Sequence, residues 1–294
     1  MFVIVGGAGL VGSAVARALA EDGSARVVVC DALGSVASGK WANLPERMDD
    51  LWAPGDLAAN LDKAWRDIAC VVSMADAGHA EADADALYDT AWRLPRRLWD
   101  FAVARQRPIA WASTTQVHGP TLGAFAAAKA AFDRHAARRG DGPDAPPVAL
   151  GLRLAAIYGR GEAHKGALAS LPARALALAR AGAPVPLWRS TDPAILDGGH
   201  ARDWTHADDA GAAIAALVGN ATAGFHDIGT GALSTATDVV RAASRVAKAQ
   251  ARVIHVAPPP GADAGPCPAA DLSSLRAAGV TTVFRDLDAG LAAL

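Results

Sequence analysis

Two groups of residues in this chain have the types and spacing to do chemistry. In the first, Gly6-Gly7-Ala8-Gly9-Leu10-Val11-Gly12 follows the apolar run Val3-Ile4-Val5, and Asp31 closes the next apolar run, Val27 to Cys30. The pattern predicts a buried strand at residues 2–5 and a tight turn at Gly6. A helix from about Ser13 follows, whose opening N–H groups, with Leu10 and Val11 leading in, face a pyrophosphate. Gly9 and Gly12 lack the Cβ that would block such a group. Asp31, about 20 residues beyond the turn, can accept hydrogen bonds from a ribose and would repel a 2′-phosphate, which favours NAD over NADP. The second group begins at Ser113-Thr114-Thr115, three hydroxyls at a strand end. They can polarise a substrate oxygen or, alternatively, cap backbone groups. Phe125 and Lys129 follow on one helix face at i, i+4. Lys129 can reach a bound ribose there, or is an ordinary solvated lysine.

These residues need a scaffold, and the apolar runs describe one. Runs at Val27 to Cys30, Ile68 to Met74 and Ile109 to Ala112 alternate with helical stretches at Ala14 to Glu21 and Tyr88 to Ala104. Such alternation predicts an α/β fold with a doubly wound parallel sheet. Pro95 falls inside the Tyr88 to Ala104 stretch, so that helix starts late or kinks there. A breaker-rich loop at 139–147 precedes a strand at Val148 to Leu154, and further helices fall near Leu168 to Ala181 and Ala207 to Val218. The irregular remainder suits a smaller, discontinuous carboxyl-terminal lobe. Residues 1–156 with 203–228 form the expected dinucleotide-binding domain, and 157–202 with 229–294 the expected substrate lobe.

The 294 residues are 52% hydrophobic, enough for a full core, and the formal charge of −2 with no long basic run excludes an electrostatic footprint for nucleic acid or anionic lipid. No apolar stretch approaches a membrane span, and a strand at residue 2 leaves no room for a leader, so a cytoplasmic location is expected. Cys30, Cys70 and Cys267 have no metal-ligand spacing and read as reduced, packed thiols. No metal is expected, and the eight scattered tryptophans read as core and lobe-interface residues.

The glycine turn, the acid, the Ser-Thr strand end, the aromatic-xxx-Lys helix and Arg202-Asp203-Trp204 together resemble the extended short-chain dehydrogenases/reductases, in the NAD-dependent epimerase/dehydratase family. Three further stretches resemble the ADP-glycero-manno-heptose 6-epimerase group. They are Gly39-Lys40-Trp41-Ala42-Asn43-Leu44, the segment from Ile157 to Ser170 that contains His164-Lys165-Gly166, and Leu275-Arg276-Ala277-Ala278-Gly279. The resemblance implies an NAD(P) cofactor that oxidises a nucleotide-sugar carbinol and returns hydride to the other face. It implies Thr114 as the residue orienting that carbinol and Lys129 on the ribose. Lys165 is implied as an acid/base beside the tyrosine that the family places at position 125. It also implies Asp56 and Leu57 at the adenine, Ala75 at the cofactor, and Thr115, His164 and Arg202 at the substrate. Asp76 either borders the cofactor or is a plain loop acid, and Arg202 either grips phosphate or pairs with Asp203 or Asp208. A homo-oligomer is expected. Asp31 argues for NAD, whereas members of the group carry NADP, whose 2′-phosphate charge Lys40 can offset.

The chain departs from the family at several positions. Position 125 is Phe, which fills a tyrosine's space but carries no proton; Ala91 and Ala156 stand where asparagines are usual, and His118 where a tyrosine is. Either Phe125 is an introduced replacement, or Lys165 or His118 has taken over proton transfer, or the chain binds dinucleotide or sugar nucleotide without efficient turnover. Another nucleotide-sugar reaction (reduction, dehydration or 4-epimerisation) also fits this scaffold.

Overall fold

A computed structural model describes residues 1–21, 23–76, 83–120, 122–140, 142–258 and 267–294. The chain runs β1 (Phe2–Val5), α1 (Leu10–Ala20), β2 (Val27–Cys30), β3 (Asp50–Trp52), α2 (Leu57–Ala64), β4 (Cys70–Ser73), α3 (Ala84–Tyr88), α4 (Leu94–Arg105), β5 (Ile109–Thr114), α5 (Ala124–Arg139) and β6 (Ala149–Leu154). It continues through β7 (Ala156–Tyr158), α6 (Leu171–Arg180), β8 (Val185–Trp188), β9 (Ala201–Arg202), β10 (Trp204–His206), α7 (Ala207–Gly219) and β11 (Gly224–Ile228). The last elements are β12 (Ser234–Thr235), α8 (Ala236–Ala247), β13 (Val253–Val256), α9 (Ser273–Ala277) and α10 (Leu287–Ala292).

Seven strands form one sheet in the order β11-β6-β5-β4-β1-β2-β3, every pair parallel. Sequence order reverses between β1 and β4, and in such sheets ligands bind in the crevice at the strands' carboxyl ends. Register puts Val5 level with Cys30 and with Ser73, so Gly6, Asp31 and Met74 all emerge at that edge. Strands buried on both faces explain the uninterrupted apolar runs. One face packs Ile4, Val29 and Val72 against α1 and α7 through Val15, Leu19, Ile214 and Leu217. The other packs Val3, Val28 and Val71 against α2, α4 and α5, where Trp99, Trp111 and Phe132 meet edge to face at centroid distances of 5.3–6.3 Å.

A separate apolar core joins Tyr158, Leu176, Val185, Leu187, Val239, Val240, Ala243 and Leu291, from α6, α8, α10 and the parallel pair β8–β13. The parallel ribbon β7–β10 registers Tyr158 with His206 and so pairs segments from either side of the expected boundary.

Helix α1 opens at Leu10, three residues before the expected Ser13, because Gly9 serves as its N-cap and Gly12 lies inside its first turn. The Tyr88 to Ala104 stretch divides. Residues Asp89–Arg93 form a π turn in which Leu94 N–H donates to Asp89 carbonyl, and α4 restarts with Pro95 in its first turn. Proline has no N–H to return, and the wider turn absorbs the lost bond. Trp52, Trp99 and Trp111 are in the core as expected, but Trp41 is 52% exposed, its indole N–H held by Val36 carbonyl. Residue 141 of the breaker-rich loop lies outside the described residues. No described helix is long and apolar enough to cross a membrane.

Candidate active site

The glycine turn is built for close approach. Gly6 has φ +81°, and a Cβ there would sit 2.5 Å from Ala75 N; a Cβ at Gly12 would strike the Gly6 carbonyl, and one at Gly9 would lie 3.2 Å from it. A side chain at Gly6 or Gly12 would strike backbone, and the first N–H groups of α1, at Leu10 and Val11, open beside the turn, so the residues present fit the pyrophosphate of a dinucleotide. Asp31 stands at the neighbouring strand end. Its Oδ2 accepts from Ala8 N at 2.9 Å, and Lys40 Nζ donates to its Oδ1 at 2.6 Å and to Ala32 carbonyl at 2.9 Å. Burial, and then the Asp31 and Asp56 charges, push the neighbouring Cys30 thiol up to about 11, which keeps it protonated. Asp56 is exposed at the N-terminus of α2, directly before the buried Leu57.

Further along the same edge, Lys129 is almost wholly buried, its Nζ donating to Ala112 carbonyl at 3.1 Å and paired with Asp76 Oδ2 at 3.2 Å. Asp76 thus stands at the lysine. The ammonium lies 5.5 Å from the centre of the Phe125 ring, which packs on Leu87, Ala91 and Ala128. The alanine at 91 and the phenylalanine at 125 therefore belong to one apolar cluster, at positions where the resemblance implies polar groups. Thr114 ends β5 and accepts from Gln116 N at 3.3 Å, a capping bond that leaves its O–H hydrogen to donate elsewhere. Thr115 is fully buried, its hydroxyl 3.8 Å from Cys267 Sγ. Beneath this strand end lies a carboxylate that the sequence did not advertise. Asp133 accepts from Trp111 Nε1 (3.0 Å), Ser113 Oγ (2.8 Å) and Arg153 Nε (3.2 Å), which fixes the residue before Thr114.

The loop carrying His164 and Lys165 is held by two further residues that had no assigned role. Buried Glu162 accepts from Gly159 N, Ser170 N and Ser170 Oγ at 2.7–3.0 Å and stands 3.5 Å from Lys165 Nζ. Asn43 Nδ2 donates to Ala8 carbonyl at 3.0 Å and to Gly161 carbonyl at 2.9 Å. His164 Nδ1 also meets Gly161 carbonyl at 2.9 Å, which makes Nδ1 the protonated nitrogen and Nε2 the acceptor. Burial lowers the affinity of His164 for a second proton, and the Lys165 charge adds to that.

Around Arg202 the neighbouring acids have other work. Asp203 accepts five bonds, from Thr205 Oγ1, Thr230 N and Oγ1, Gly231 N and Ala270 N, and Asp208 accepts from Arg17 at 3.1 Å. Arg202 itself donates to Ala201 carbonyl. His118 Nε2 lies 3.1 Å from Asp227 Oδ1, whose other oxygen accepts from Asp271 N. Among the described residues no group of His, Cys, Asp and Glu side chains is arranged to hold a metal ion.

A doubly wound sheet with a glycine-rich turn at its switch point, an acid one strand over and a buried lysine across the crevice defines a Rossmann-type dinucleotide-binding protein of the short-chain dehydrogenase/reductase kind. The chain belongs to the NAD dependent epimerase/dehydratase family, whose model matches residues 2–229. An ADP-L-glycero-D-manno-heptose-6-epimerase of Nitratidesulfovibrio vulgaris is 30% identical over 83% of this chain and 80% of its own length. Among solved structures, the ADP-L-glycero-D-manno-heptose-6-epimerase of Helicobacter pylori superposes with a TM-score of 0.82 at 20% identity, over 99% of this chain and 94% of that one. The UDP-glucose 4-epimerase of Thermus thermophilus, in complex with NAD, gives 0.80 at 22% identity, over 99% and 97%.

Proposed function

We propose that this protein is an NAD(P)-dependent nucleotide-sugar epimerase of the ADP-glycero-manno-heptose 6-epimerase type. Residues 1–156 with 203–228 hold the dinucleotide and 157–202 with 229–294 the sugar. The observation that carries this reading is the buried Lys129 ammonium at the same sheet edge as Thr114 and the glycine cradle. A cation at that depth is unfavourable unless it has work or partners, and its carboxylate partner here is Asp76. The curated relatives that carry the same name as the N. vulgaris enzyme support the sugar.

A nicotinamide dinucleotide held at this edge by the Gly6–Gly12 turn and Lys129 would supply a reversible hydride acceptor for the carbinol carbon. The chain's own residues do the rest. Gly6, Gly9 and Gly12 admit the pyrophosphate to the N–H groups of Leu10 and Val11. Asp31 and Lys40 meet the adenosine ribose, with NAD or NADP as the dinucleotide, while Asp56 and Leu57 flank the adenine and Ala75 the cofactor. Lys129 holds the second ribose, and Thr114 orients the carbinol oxygen by a hydrogen bond. Lys165 exchanges the carbinol proton in place of the missing phenol, and Thr115, His164 and Arg202 hold the nucleotide sugar.

A second reading, binding of the same ligands without turnover, is favoured by the packing of Phe125 on the apolar cluster that contains Ala91. One NMR time course separates the two. Purified protein with ADP-D-glycero-D-manno-heptose should invert C6 with no net consumption of NAD(P)H, and Lys165→Ala should abolish inversion. Binding of the sugar nucleotide with no inversion would establish the second reading, and net cofactor consumption would assign another reaction.

A further inference from the structure

The adenosine end of the crevice and the loop that carries Lys165 are joined by one short turn. Residues Lys40–Asn43 form a single 3₁₀ helix. At its start Lys40 grips Asp31, and at its end Asn43 donates one amide hydrogen to Ala8 carbonyl and the other to Gly161 carbonyl. Ala8 is held from both sides, because its N–H donates to Asp31 Oδ2. Gly161 is equally constrained. Its φ is +93°, a Cβ on it would lie 2.5 Å from Asn43 Oδ1, and its carbonyl also takes His164 Nδ1. Asn43 is 7% exposed and commits both of its donor hydrogens to two loops 153 residues apart in the chain (161 − 8). Such a primary amide is a two-pronged clamp: neither loop can shift without breaking a hydrogen bond from Asn43 Nδ2.

We propose that Asn43 is a positioning residue that couples dinucleotide occupancy of the Gly6–Gly12 turn to the His164–Lys165 loop, so that cofactor bound at the turn restrains the substrate loop further. The proposal rests on the dinucleotide reading of that turn. Ligand at the turn fixes the Ala8–Gly9 peptide, and Asn43 passes the constraint to Gly161. Linkage makes the effect reciprocal, so a sugar nucleotide that orders the loop tightens dinucleotide binding by the same factor.

Hydrogen–deuterium exchange with NAD⁺ as the added ligand tests this. In the unaltered protein NAD⁺ should slow exchange in peptides covering 6–13 and, by about five-fold or more, in peptides covering 160–170. In Asn43→Ala the first protection should persist and the second should vanish. A residue that merely supported the fold would lower protection in 160–170 with and without NAD⁺ and leave the NAD⁺-dependent difference intact, and that result would overturn the proposal. Gly161→Ala attacks the same joint from the loop side and should give the Asn43→Ala pattern, which keeps the test decisive if one variant fails to fold. NAD⁺ protecting 6–13 but not 160–170 in the unaltered protein would refute the coupling alone. Protection of neither segment by NAD⁺ or by NADP⁺ would remove the dinucleotide reading along with it.

Discussion

Restoring a phenol at position 125 is the sharpest perturbation the site offers. The Phe125 ring already packs on Leu87, Ala91 and Ala128, and Phe125→Tyr adds one oxygen at its edge without changing the ring. The Lys129 ammonium is 5.5 Å from the ring centre. A phenolate charge at about that separation gains about 3 kcal/mol from the ammonium at an effective dielectric constant near 20. Asp76, 3.2 Å from the same ammonium, opposes part of this, and a net gain of about 1–2 kcal/mol makes the phenol about 10-fold more acidic than usual. A general acid/base in place contributes about 10²- to 10⁴-fold to rate, so Phe125→Tyr should raise C6 inversion of ADP-D-glycero-D-manno-heptose by at least about 10²-fold. The assay is the NMR time course run on both proteins across pH 6–9, and the variant's rate should acquire a new ionisation on its alkaline side. A rate within about three-fold of the parent, with an unchanged pH profile, would refute the claim that the missing hydroxyl limits catalysis.

Three other outcomes follow from the geometry. Lys129→Met strands the Ala112 carbonyl and leaves Asp76 without its ammonium, so denaturant unfolding should show a loss of about 1–3 kcal/mol, and calorimetry should show NAD⁺ binding at least about 10-fold weaker. Lys40→Ala exposes the Asp31 charge, and fluorescence titration should find NADP⁺ affinity falling about 10-fold or more relative to NAD⁺; an unchanged ratio would remove Lys40 from the ribose. Burial depresses the proton affinity of His206, whose Nδ1 accepts from Asp208 N and faces Arg285 Nη1 at 2.9 Å. Below its unfolded pKa, near 6.5, the unfolded chain takes a proton that the folded chain refuses. Stability should therefore fall as pH drops from 6.5 towards 5, by at most about 1.4 kcal/mol per pH unit from this residue, and His206→Asn, which keeps a capping acceptor, should flatten that slope in urea melts.

The parts of this molecule legible in its sequence are those whose cause lies within a few residues. Strand, glycine turn and acid at 3–31 follow from apolar runs and the absence of Cβ atoms, and Pro95 marks a helix break by its missing N–H. Gly12 misled the placement of α1 because glycine disfavours helix interiors, yet here its bare Cα is what lets the helix pass against Gly6 carbonyl. What stayed hidden is long-range polar satisfaction. Asp133, Glu162, Asp203 and Asp227 are buried carboxylates whose partners are largely backbone N–H groups or residues far along the chain, such as His118, 109 residues from Asp227. A backbone donor has no residue type, so spacing cannot announce it. Asn43 shows the consequence most clearly. It lay in plain view within a recognisable stretch, but an amide acquires a role only from what its two hydrogens reach, and those acceptors are carbonyls of Ala8 and Gly161. The pair at 91 and 125 is the converse case, in which two separate departures from the family pattern come into one apolar cluster once α5 packs against the turn that carries Ala91. A phenol at 125 would share that cluster with Ala91, so a combined rate gain from Phe125→Tyr and Ala91→Asn larger than the product of the two separate gains would show that the positions are coupled, whereas simple additivity would show that they are independent.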